Sequence, residues 1–396
     1  MKKRISRVMF VLCTLFMCIV GFANQAAAET HSTGTPTSSG VTNENQFLNY
    51  KCVKTIPNRN PIVKKFSYYL RTSSSYYGIP GLVNTNVAGK NCDYMTPQGI
   101  CHMDDYTIIS AYCANEKHNH KPVLYALKNN KLIATLVLPY DRNMHAGGVT
   151  YDGTYLWIAN GATNYDTNCN PDASEKRIYY LQKSVVIAAI NACVERKAYS
   201  FSIPSTEARY VSLSIDPAFC SYYDGHLWCG KFNSYEPDEM GQYIVDKSVI
   251  IRPKLTLVGS MQVPRATQGV TFYKNSSGKL HFITSNSWCR TEYGVDGNRN
   301  KYFEHSLIVY APTDYSSQMK KSTNRNFHKG SRICDITIPN MSEGISPKGF
   351  GMFIIFESAA QKYYEYVDKS IRSDKYCELS LAKVCEVTNY KQSRDF

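Results

Sequence analysis

Short strand-like runs, mostly apolar, follow one another along most of the chain, with turn residues between them. The clearest pair is the glycine-led run at residues 145–149 and the apolar run at residues 155–159, which flank the dipeptide Asp152-Gly153. Short runs bounded by turn residues predict β-strands, and an Asp-Gly dipeptide between two such runs predicts a hairpin. Looser copies of this hairpin recur, so the sequence predicts a repeated all-β unit.

Each copy opens with a strand that usually contains glycine and closes with a strand that ends in an apolar residue before proline. The opening strands are residues 96–100, 145–149, 266–270 and 341–345, with a copy lacking the glycine at 209–213. The second strands are 106–110, 155–159, 226–229, 280–284 and 352–356, and the third are 123–127, 178–181, 242–245, 307–310 and 363–367. The closing pairs are Leu138-Pro139, Ile203-Pro204, Val263-Pro264 and Ile338-Pro339. Proline cannot donate to a sheet ladder, so it marks a strand end.

Units of four short antiparallel strands, roughly 50 to 75 residues long, are typical of β-propeller blades. We therefore predict an all-β propeller with five blades. They occupy residues 96–139, 145–204, 208–264, 266–339 and 341–396. The glycines would let the innermost strands approach one another closely around the central axis. A two-sheet sandwich is the main alternative fold.

Residues 46–95 precede the repeats and have no clear copy of the unit. Residues 51–57 predict one strand, whose Ile-Pro ending matches the closing strands, so this strand could complete the fifth blade. Residues 379–387 compete for that place, and a sixth blade within residues 58–95 stays an alternative. Residues 66–91 are rich in Tyr, Ser and Gly and predict irregular packing. The apolar spacing of residues 184–195 predicts a short helix in the second blade.

The first 28 residues have the pattern of a secretory signal peptide. Four basic residues precede an apolar run at residues 8–23, and Ala26-Ala27-Ala28 is a small-residue cleavage site. The run is short for a membrane span of about 20 residues. We expect a secreted, extracellular protein of bacterial type, with no membrane span after cleavage. Residues 29–45 are poor in apolar residues and predict a disordered leader.

The chain is basic, and its formal net charge of +13 falls to +9 when the four basic residues of the leader are removed. This charge suits contact with an anionic cell-wall polymer. No run of five or six Lys or Arg residues is present, so nucleic acid is not expected as a partner.

Twelve cysteines remain beyond residue 28, and an exported chain permits disulfides. Cys220 and Cys229 flank the turn dipeptide Asp224-Gly225. A two-residue turn pairs Tyr223 with His226 and places Cys220 opposite Cys229 at a site where facing strands are closest. We predict a disulfide there, against the alternative of two reduced cysteines in contact. The pairs Cys169–Cys193 and Cys377–Cys385 are only near in sequence.

The mouth of the central channel is the expected functional site, because it is concave and receives side chains from every blade. Alignment of the repeats brings together polar residues that begin the opening strands or follow the second strands. Glu343 and Glu357 would lie on neighbouring strands, where paired carboxylates divide acid and base roles. His145 could transfer a proton near neutral pH. The predicted catalytic residues, if the protein is an enzyme, are Glu343, Glu357 and His145, and the predicted ligand-binding residues are Gln98, Arg209, Gln268, Asn160, Lys231 and Asn286.

Familiar catalytic and metal-binding motifs are absent from the sequence. There is no Gly-x-Ser-x-Gly, no phosphate loop and no His-Glu-x-x-His. His118-Asn119-His120 offers only two metal ligands, and residues 296–300 lack the glutamate that closes a calcium loop. We therefore expect no cofactor and no metal.

The glycine-led repeats of residues 96–367 resemble those of secreted bacterial β-propellers. Thr267-Gln268-Gly269-Val270 and Ser342-Glu343-Gly344-Ile345 are also similar to the opening strands of the five-bladed glutaminyl cyclases of plants and bacteria. The resemblance implies a propeller fold but does not select one function. Three functions stay open: binding of a small molecule, glycan or peptide; an extracellular hydrolase, lyase or cyclase; and a scaffold for extracellular proteins.

Overall fold

The computed structural model describes residues 43–161, 176–275, 278, 280–293, 299–310, 332–349, 351–364, 367, 372–385 and 390–391. The predictions for residues 1–28, for most of the leader, for Cys169 and for residues 296–298 lie outside them. Across the described ranges, no helix is long and apolar enough to cross a membrane.

The strands follow one another along the whole described chain. In chain order they are β1 (Lys51–Thr55), β2 (Ile62–Lys65), β3 (Tyr76–Gly78), β4 (Thr85–Val87), β5 (Lys90–Cys92), β6 (Met95–Met103), β7 (Tyr106–Cys113), β8 (Val123–Lys128), β9 (Lys131–Val137), β10 (Gly148–Tyr151), β11 (Tyr155–Ala159), β12 (Arg177–Gln182) and β13 (Phe201–Ser202). They continue as β14 (Arg209–Ser212), β15 (Phe219–Tyr223), β16 (His226–Gly230), β17 (Asp238–Asp246), β18 (Lys254–Val263), β19 (Thr267–Asn275), β20 (Leu280–Tyr293), β21 (Arg299–Tyr310), β22 (Arg332–Thr337), β23 (Ser342–Lys348), β24 (Gly351–Phe356), β25 (Lys375–Ser380) and β26 (Tyr390–Lys391).

Helices are few and short among the described residues. The α-helices are α1 (Glu44–Leu48), α2 (Phe66–Tyr69), α3 (Lys183–Glu195) and α4 (Leu381–Cys385), and 3-10 turns cover Glu116–His118, Ser205–Glu207 and Gln361–Tyr363. Helix α3 confirms the helix predicted at residues 184–195. Along the chain it comes between β12 and β14, the third and fourth strands of one sheet.

Five sheets carry the fold, and each contains four strands in antiparallel order. The first sheet contains β6-β7-β8-β9, the second β10-β11-β12-β14, the third β15-β16-β17-β18, the fourth β19-β20-β21-β22 and the fifth β23-β24-β25-β3. Strand β13 extends the first sheet in parallel beside β9, and β1, β2 and β26 extend the fourth sheet to seven strands. The chain is thus mostly β, and its sheets have the strand order of propeller blades. The hydrophobic cores lie between neighbouring sheets: Trp228 of the third sheet packs on Phe272 of the fourth, with ring centroids 4.7 Å apart.

The first strands of the five sheets contact one another in a cycle. The contacts run from β6 to β10, β15, β19 and β23, and from β23 back to β6. Glycines make this approach possible, as predicted. A Cβ added at Gly148 would lie 2.9 Å from the backbone nitrogen of Cys220, and one added at Gly344 would lie 2.9 Å from the Cα of Gly99. Real Cβ atoms do not come so close to backbone, so side chains are excluded here.

An N-terminal strand completes the fifth sheet, but it is not the strand that the sequence suggested. Strand β3 pairs with β25, with Tyr76 opposite Cys377. Strand β1, within residues 51–57, instead pairs with β22 at the outer edge of the fourth sheet. The closing strand has only three residues and lies in the segment predicted to be irregular, since three residues are too short to show a period.

Two further strand assignments are wrong. Residues 209–213 are not the opening strand of the third unit, because β14 pairs with β12 as the outermost strand of the second sheet. Its exposure alternates, as expected at a sheet edge, and β15 is the first strand of the third sheet instead. The third strand of the fifth sheet is β25 rather than residues 363–367, because Gln361–Tyr363 forms a 3-10 turn.

Candidate functional site

Two buried carboxyl groups meet at one end of the cycle of first strands. Glu343 precedes Gly344 in β23, and Glu357 directly follows β24. They are only 1 % and 5 % exposed. The carboxyl group of Glu343 hydrogen-bonds that of Glu357. Gln98 of β6 donates to Glu357 at 2.8 Å, and the Tyr363 hydroxyl donates to its other oxygen at 2.6 Å.

The environment keeps a proton on this pair. Burial, followed by the charge of Glu357, raises the pKa of Glu343 well above its ordinary range. Burial also raises the pKa of Glu357, but the ammonium of Lys362 and the donated hydrogen bonds oppose that shift. The pKa of Glu343 is raised more strongly than that of Glu357, so Glu343 is the member that holds a proton more tightly. Oε1 of Glu343 has no hydrogen-bond partner among the described residues.

An aromatic and cationic group continues the site from the acid pair. Lys362 donates to the Tyr112 hydroxyl at 2.8 Å and lies over the rings of Tyr112 and Tyr363, 5.5 and 5.3 Å from their centroids. The His145 ring packs on Tyr112 with centroids 3.9 Å apart. Four residues predicted for the mouth, Gln98, His145, Glu343 and Glu357, thus belong to one connected cluster.

His145 is neutral in this setting. Burial, followed by the charge of Lys362, lowers the pKa of His145 to about 3, although the backbone of Gly161 hydrogen-bonds the ring and opposes the shift. An imidazole with this pKa does not gain a proton near neutral pH. Desolvation thus opposes the proton transfer near pH 7 that the sequence suggested for His145, and that role stays a prediction.

Of the three other predicted amide residues, Asn160 is adjacent in sequence to a residue that contacts this cluster. The side chains of Asn286 and Gln268 instead bond neighbouring parts of the fold. Asn160 precedes Gly161, and its Oδ1 is buried with no partner among the described residues. Asn286 donates to the carbonyl oxygen of Arg265 at 2.8 Å and accepts from Thr284 at 2.6 Å. Gln268 lies 3.4 Å from the carbonyl oxygen of Ser287.

Of the two predicted cationic ligands, Arg209 lies elsewhere and Lys231 forms an ion pair. Arg209 is on the outermost strand β14, where it pairs with Glu207 at 3.3 Å and donates to the carbonyl oxygen of Ile251. Its placement at the mouth is wrong, because it rested on the incorrect opening strand. Lys231 pairs with Asp238 at 3.4 Å. In the described part of the chain, Lys362 is the cation whose charge affects both carboxyl groups.

Three residues of the cluster were not predicted from the sequence as site residues: Tyr112, Lys362 and Tyr363. Tyr112 is near the end of β7, the second strand of the first sheet, where the repeat alignment named no residue. Lys362 and Tyr363 are in the 3-10 turn, and only Tyr363 falls within the strand expected at residues 363–367. A turn of three residues has no periodicity to reveal it.

The hairpin of the third sheet has the predicted register without the predicted disulfide. Tyr223 pairs with His226 and Cys220 with Cys229, which confirms the two-residue turn. Both cysteines are free, however, and the Cys220 thiol lies 3.9 Å from the carbonyl oxygen of Trp157 on β11. The disulfide is therefore not supported.

A second polar cluster includes Cys113, which directly follows Tyr112 in β7. The cluster joins Cys92, Cys113, His118 and His120, whose possible ligand atoms all lie within 4.8 Å of one another. Two histidines alone are too few to hold a metal, which was the reason to expect none here, but the fold adds two cysteines from other strands.

Exposed apolar side chains lie at the turn between β17 and β18. Ile250 and Ile251 are 61 % and 55 % exposed, and their carbonyl oxygens accept hydrogen bonds from Tyr155 and Tyr180 of the second sheet.

Comparisons with known proteins find distant structural likenesses. No protein-family model matches the chain, and no curated protein matches its sequence. The chain is similar to a glutaminyl cyclase from Myxococcus xanthus at 10 % identity and a TM-score of 0.35, covering 77 % of this chain and 95 % of that one. It is similar to an exo-β-1,3-galactanase from Phanerochaete chrysosporium at 9 % identity and a TM-score of 0.39, covering 81 % and 67 %. It is also similar to the β-propeller domain of the Trilobed protease from Pyrococcus furiosus at 10 % identity and a TM-score of 0.27, covering 66 % and 78 %. Likenesses this distant transfer neither activity nor ligand.

Proposed function

We propose that the protein is an exported, five-bladed β-propeller that binds a small molecule, glycan or peptide where Glu343 and Glu357 meet. The cyclic contacts of the five first strands support the blade count. Export rests on the N-terminal sequence pattern, and the basic charge would favour an anionic cell wall.

The observation that carries this proposal is an unmade hydrogen bond at the acid pair. Oε1 of Glu343 is buried with no partner among the described residues. The same holds for Oδ1 of Asn160, which precedes Gly161, the residue whose backbone hydrogen-bonds the His145 ring. Buried polar atoms are normally hydrogen-bonded, because an unmade bond costs about 1–3 kcal/mol. Both atoms can accept a hydrogen bond, so a ligand with N–H or O–H groups would complete them. Sugars, amines and peptides have such groups.

An enzyme is the second candidate, and the carboxyl pair favours it. Two hydrogen-bonded carboxyl groups that share a proton provide an acid and a base in contact. They are too close for the usual glycoside-hydrolase pair, which needs a separation of about 5 Å or more. A hydrolase, lyase or cyclase would therefore use Glu343 as the acid and Glu357 as the base, with His145 neutral beside them.

Ligand screening by thermal shift tests the proposal. Oligosaccharides, amines and short peptides are screened against the wild type, Glu343→Gln and the matched control Glu207→Gln, whose glutamate is on the outer edge. A ligand that raises the Tm of the wild type and the control but not of Glu343→Gln supports the site. A hit unchanged in Glu343→Gln places the site elsewhere. Mass spectrometry of each hit after incubation separates binding from turnover.

A further inference from the structure

We propose that Cys92, Cys113, His118 and His120 bind one zinc ion in a closed structural site. Three separate segments supply these residues. Cys92 ends the short hairpin β4-β5, which precedes the first sheet, and Cys113 ends β7. His118 and His120 belong to the loop between β7 and β8, where Glu116–His118 forms a 3-10 turn.

The distances between the possible ligand atoms suit a tetrahedral metal. The two Sγ atoms are 3.4 Å apart, and Nδ1 of His118 lies 3.9 Å from Sγ of Cys92 and 3.8 Å from Sγ of Cys113. Tetrahedral zinc, with Zn–S near 2.3 Å and Zn–N near 2.0 Å, holds its ligand atoms roughly 3.4 to 3.8 Å apart. The four side chains therefore already surround a position that fits the ion.

Burial gives a second and independent reason to expect a ligand here. Cys92 is fully buried, and His120 is only 8 % exposed. Nδ1 of His120 is buried and has no hydrogen-bond partner among the described residues. A buried imidazole nitrogen without a partner is costly, and coordination to a metal would satisfy it.

Neighbouring groups can support the histidine ligands. The side-chain amide of Asn115 lies 2.8 Å from Nε2 of His118. The Oδ1 atom of Asn115 accepts a hydrogen bond from the backbone N–H of Lys117 at 3.0 Å, which holds the Asn115 side chain beside this ring. Tyr94 packs edge-on against the His118 ring at 5.5 Å and holds its plane.

The donor set selects the metal and its role. Two thiolates and two imidazoles in a tetrahedron are typical of zinc, and four protein ligands leave no open position for catalysis. Each cysteine binds as a thiolate, so Zn²⁺ replaces two protons, which leave to the solvent. The ion would fasten the β4-β5 hairpin and the β7-β8 loop to the first sheet.

A disulfide between Cys92 and Cys113 is the competing use of these sulfurs. Their separation of 3.4 Å is well beyond the bond length of about 2.05 Å. A disulfide would also leave Nδ1 of His120 without a partner. The metal accounts for all four residues, whereas the disulfide accounts for two.

Metal analysis of the full chain tests the site. The protein, purified without chelator, is expected to contain about one zinc per chain by mass spectrometry. Replacement by Co²⁺ should produce the intense visible bands of a tetrahedral site and a sulfur-to-cobalt charge-transfer band. Cys92→Ser and His120→Asn should each reduce bound zinc to less than about half of the wild-type content. Cys193→Ser in α3 and His226→Asn in the third sheet are matched controls that should retain it.

Two results would overturn the proposal. One is a wild-type protein that takes up neither zinc nor cobalt, and this measurement decides the question even if the variants do not fold. The other is a Cys92–Cys113 disulfide found by peptide mapping of the metal-free, non-reduced protein.

Discussion

Replacement of Glu343 by glutamine should make the protein more stable at neutral and alkaline pH. The folded protein holds a proton on Glu343, because burial and the charge of Glu357 raise its pKa. An unfolded glutamate loses that proton above a pH of about 4.3. As the pH rises from this value towards the folded pKa, the unfolded state binds fewer protons than the folded state. The stability that the wild type gains from this proton below a pH of about 4.3 is therefore lost progressively as the pH rises.

The magnitude follows from the proton balance. One proton changes the free energy of unfolding by about 1.4 kcal/mol per pH unit between the two pKa values. This loss continues for as long as the folded protein keeps the proton that the unfolded chain has released. The side chain introduced by Glu343→Gln cannot ionise, and its neutral amide can still donate to Glu357. The stability of Glu343→Gln relative to the wild type should therefore rise with pH along that slope.

Urea unfolding between pH 4.5 and 8, followed by tryptophan fluorescence, measures this difference. The control Glu207→Gln, at the outer edge of the second sheet, should follow the pH dependence of the wild type. If the difference between Glu343→Gln and the wild type stays constant with pH, the carboxyl pair does not hold the extra proton. The assignment of Glu343 as the acid would then fail.

Three further outcomes are expected. Gly344→Ala should cost about 1–3 kcal/mol in urea unfolding, because its Cβ would lie 2.9 Å from the Cα of Gly99; an unchanged stability would contradict the close strand approach. His145→Gln should reduce the acid sensitivity of the protein. Because the pKa of His145 is lowered to about 3, the free energy of unfolding of the wild type should fall by at most about 5 kcal/mol as the pH falls from 6.5 to 3. Equal acid sensitivity of the wild type and His145→Gln would refute the lowered pKa. Asp216→Asn should stabilise the protein above pH 6 by less than about 3 kcal/mol. Burial raises the pKa of Asp216 to about 6, so the stability that its protonated form gives is lost as the pH rises from 4 to 6, and partial exposure makes this loss smaller. Thermal unfolding of the wild type and Asp216→Asn at pH 4 and 7.5 measures the change, and an equal difference in Tm at both pH values would contradict it.

Part of the candidate site could be predicted from the sequence because the repeats share one alignment. The glycines place Gln98 and Glu343 at equivalent positions on β6 and β23, and the fold brings them to the same acid pair. The same alignment failed for Arg209, where the copy has no glycine and the strand belongs to a sheet edge. The protonation of the site was also not predictable, because the pKa values of Glu343 and His145 depend on burial.

Local pattern alone determined most of the strands, the register of the Cys220–Cys229 hairpin and helix α3, since these depend on residues close in the chain. The tertiary structure decided everything that joins distant segments. It selected β3 rather than β1 to complete the fifth sheet, and it brought Cys92 to Cys113 and the two histidines. Backbone pairing and ligand geometry between remote segments leave no periodic trace in the sequence. They arise only when the sheets pack around a common axis and bring those segments together.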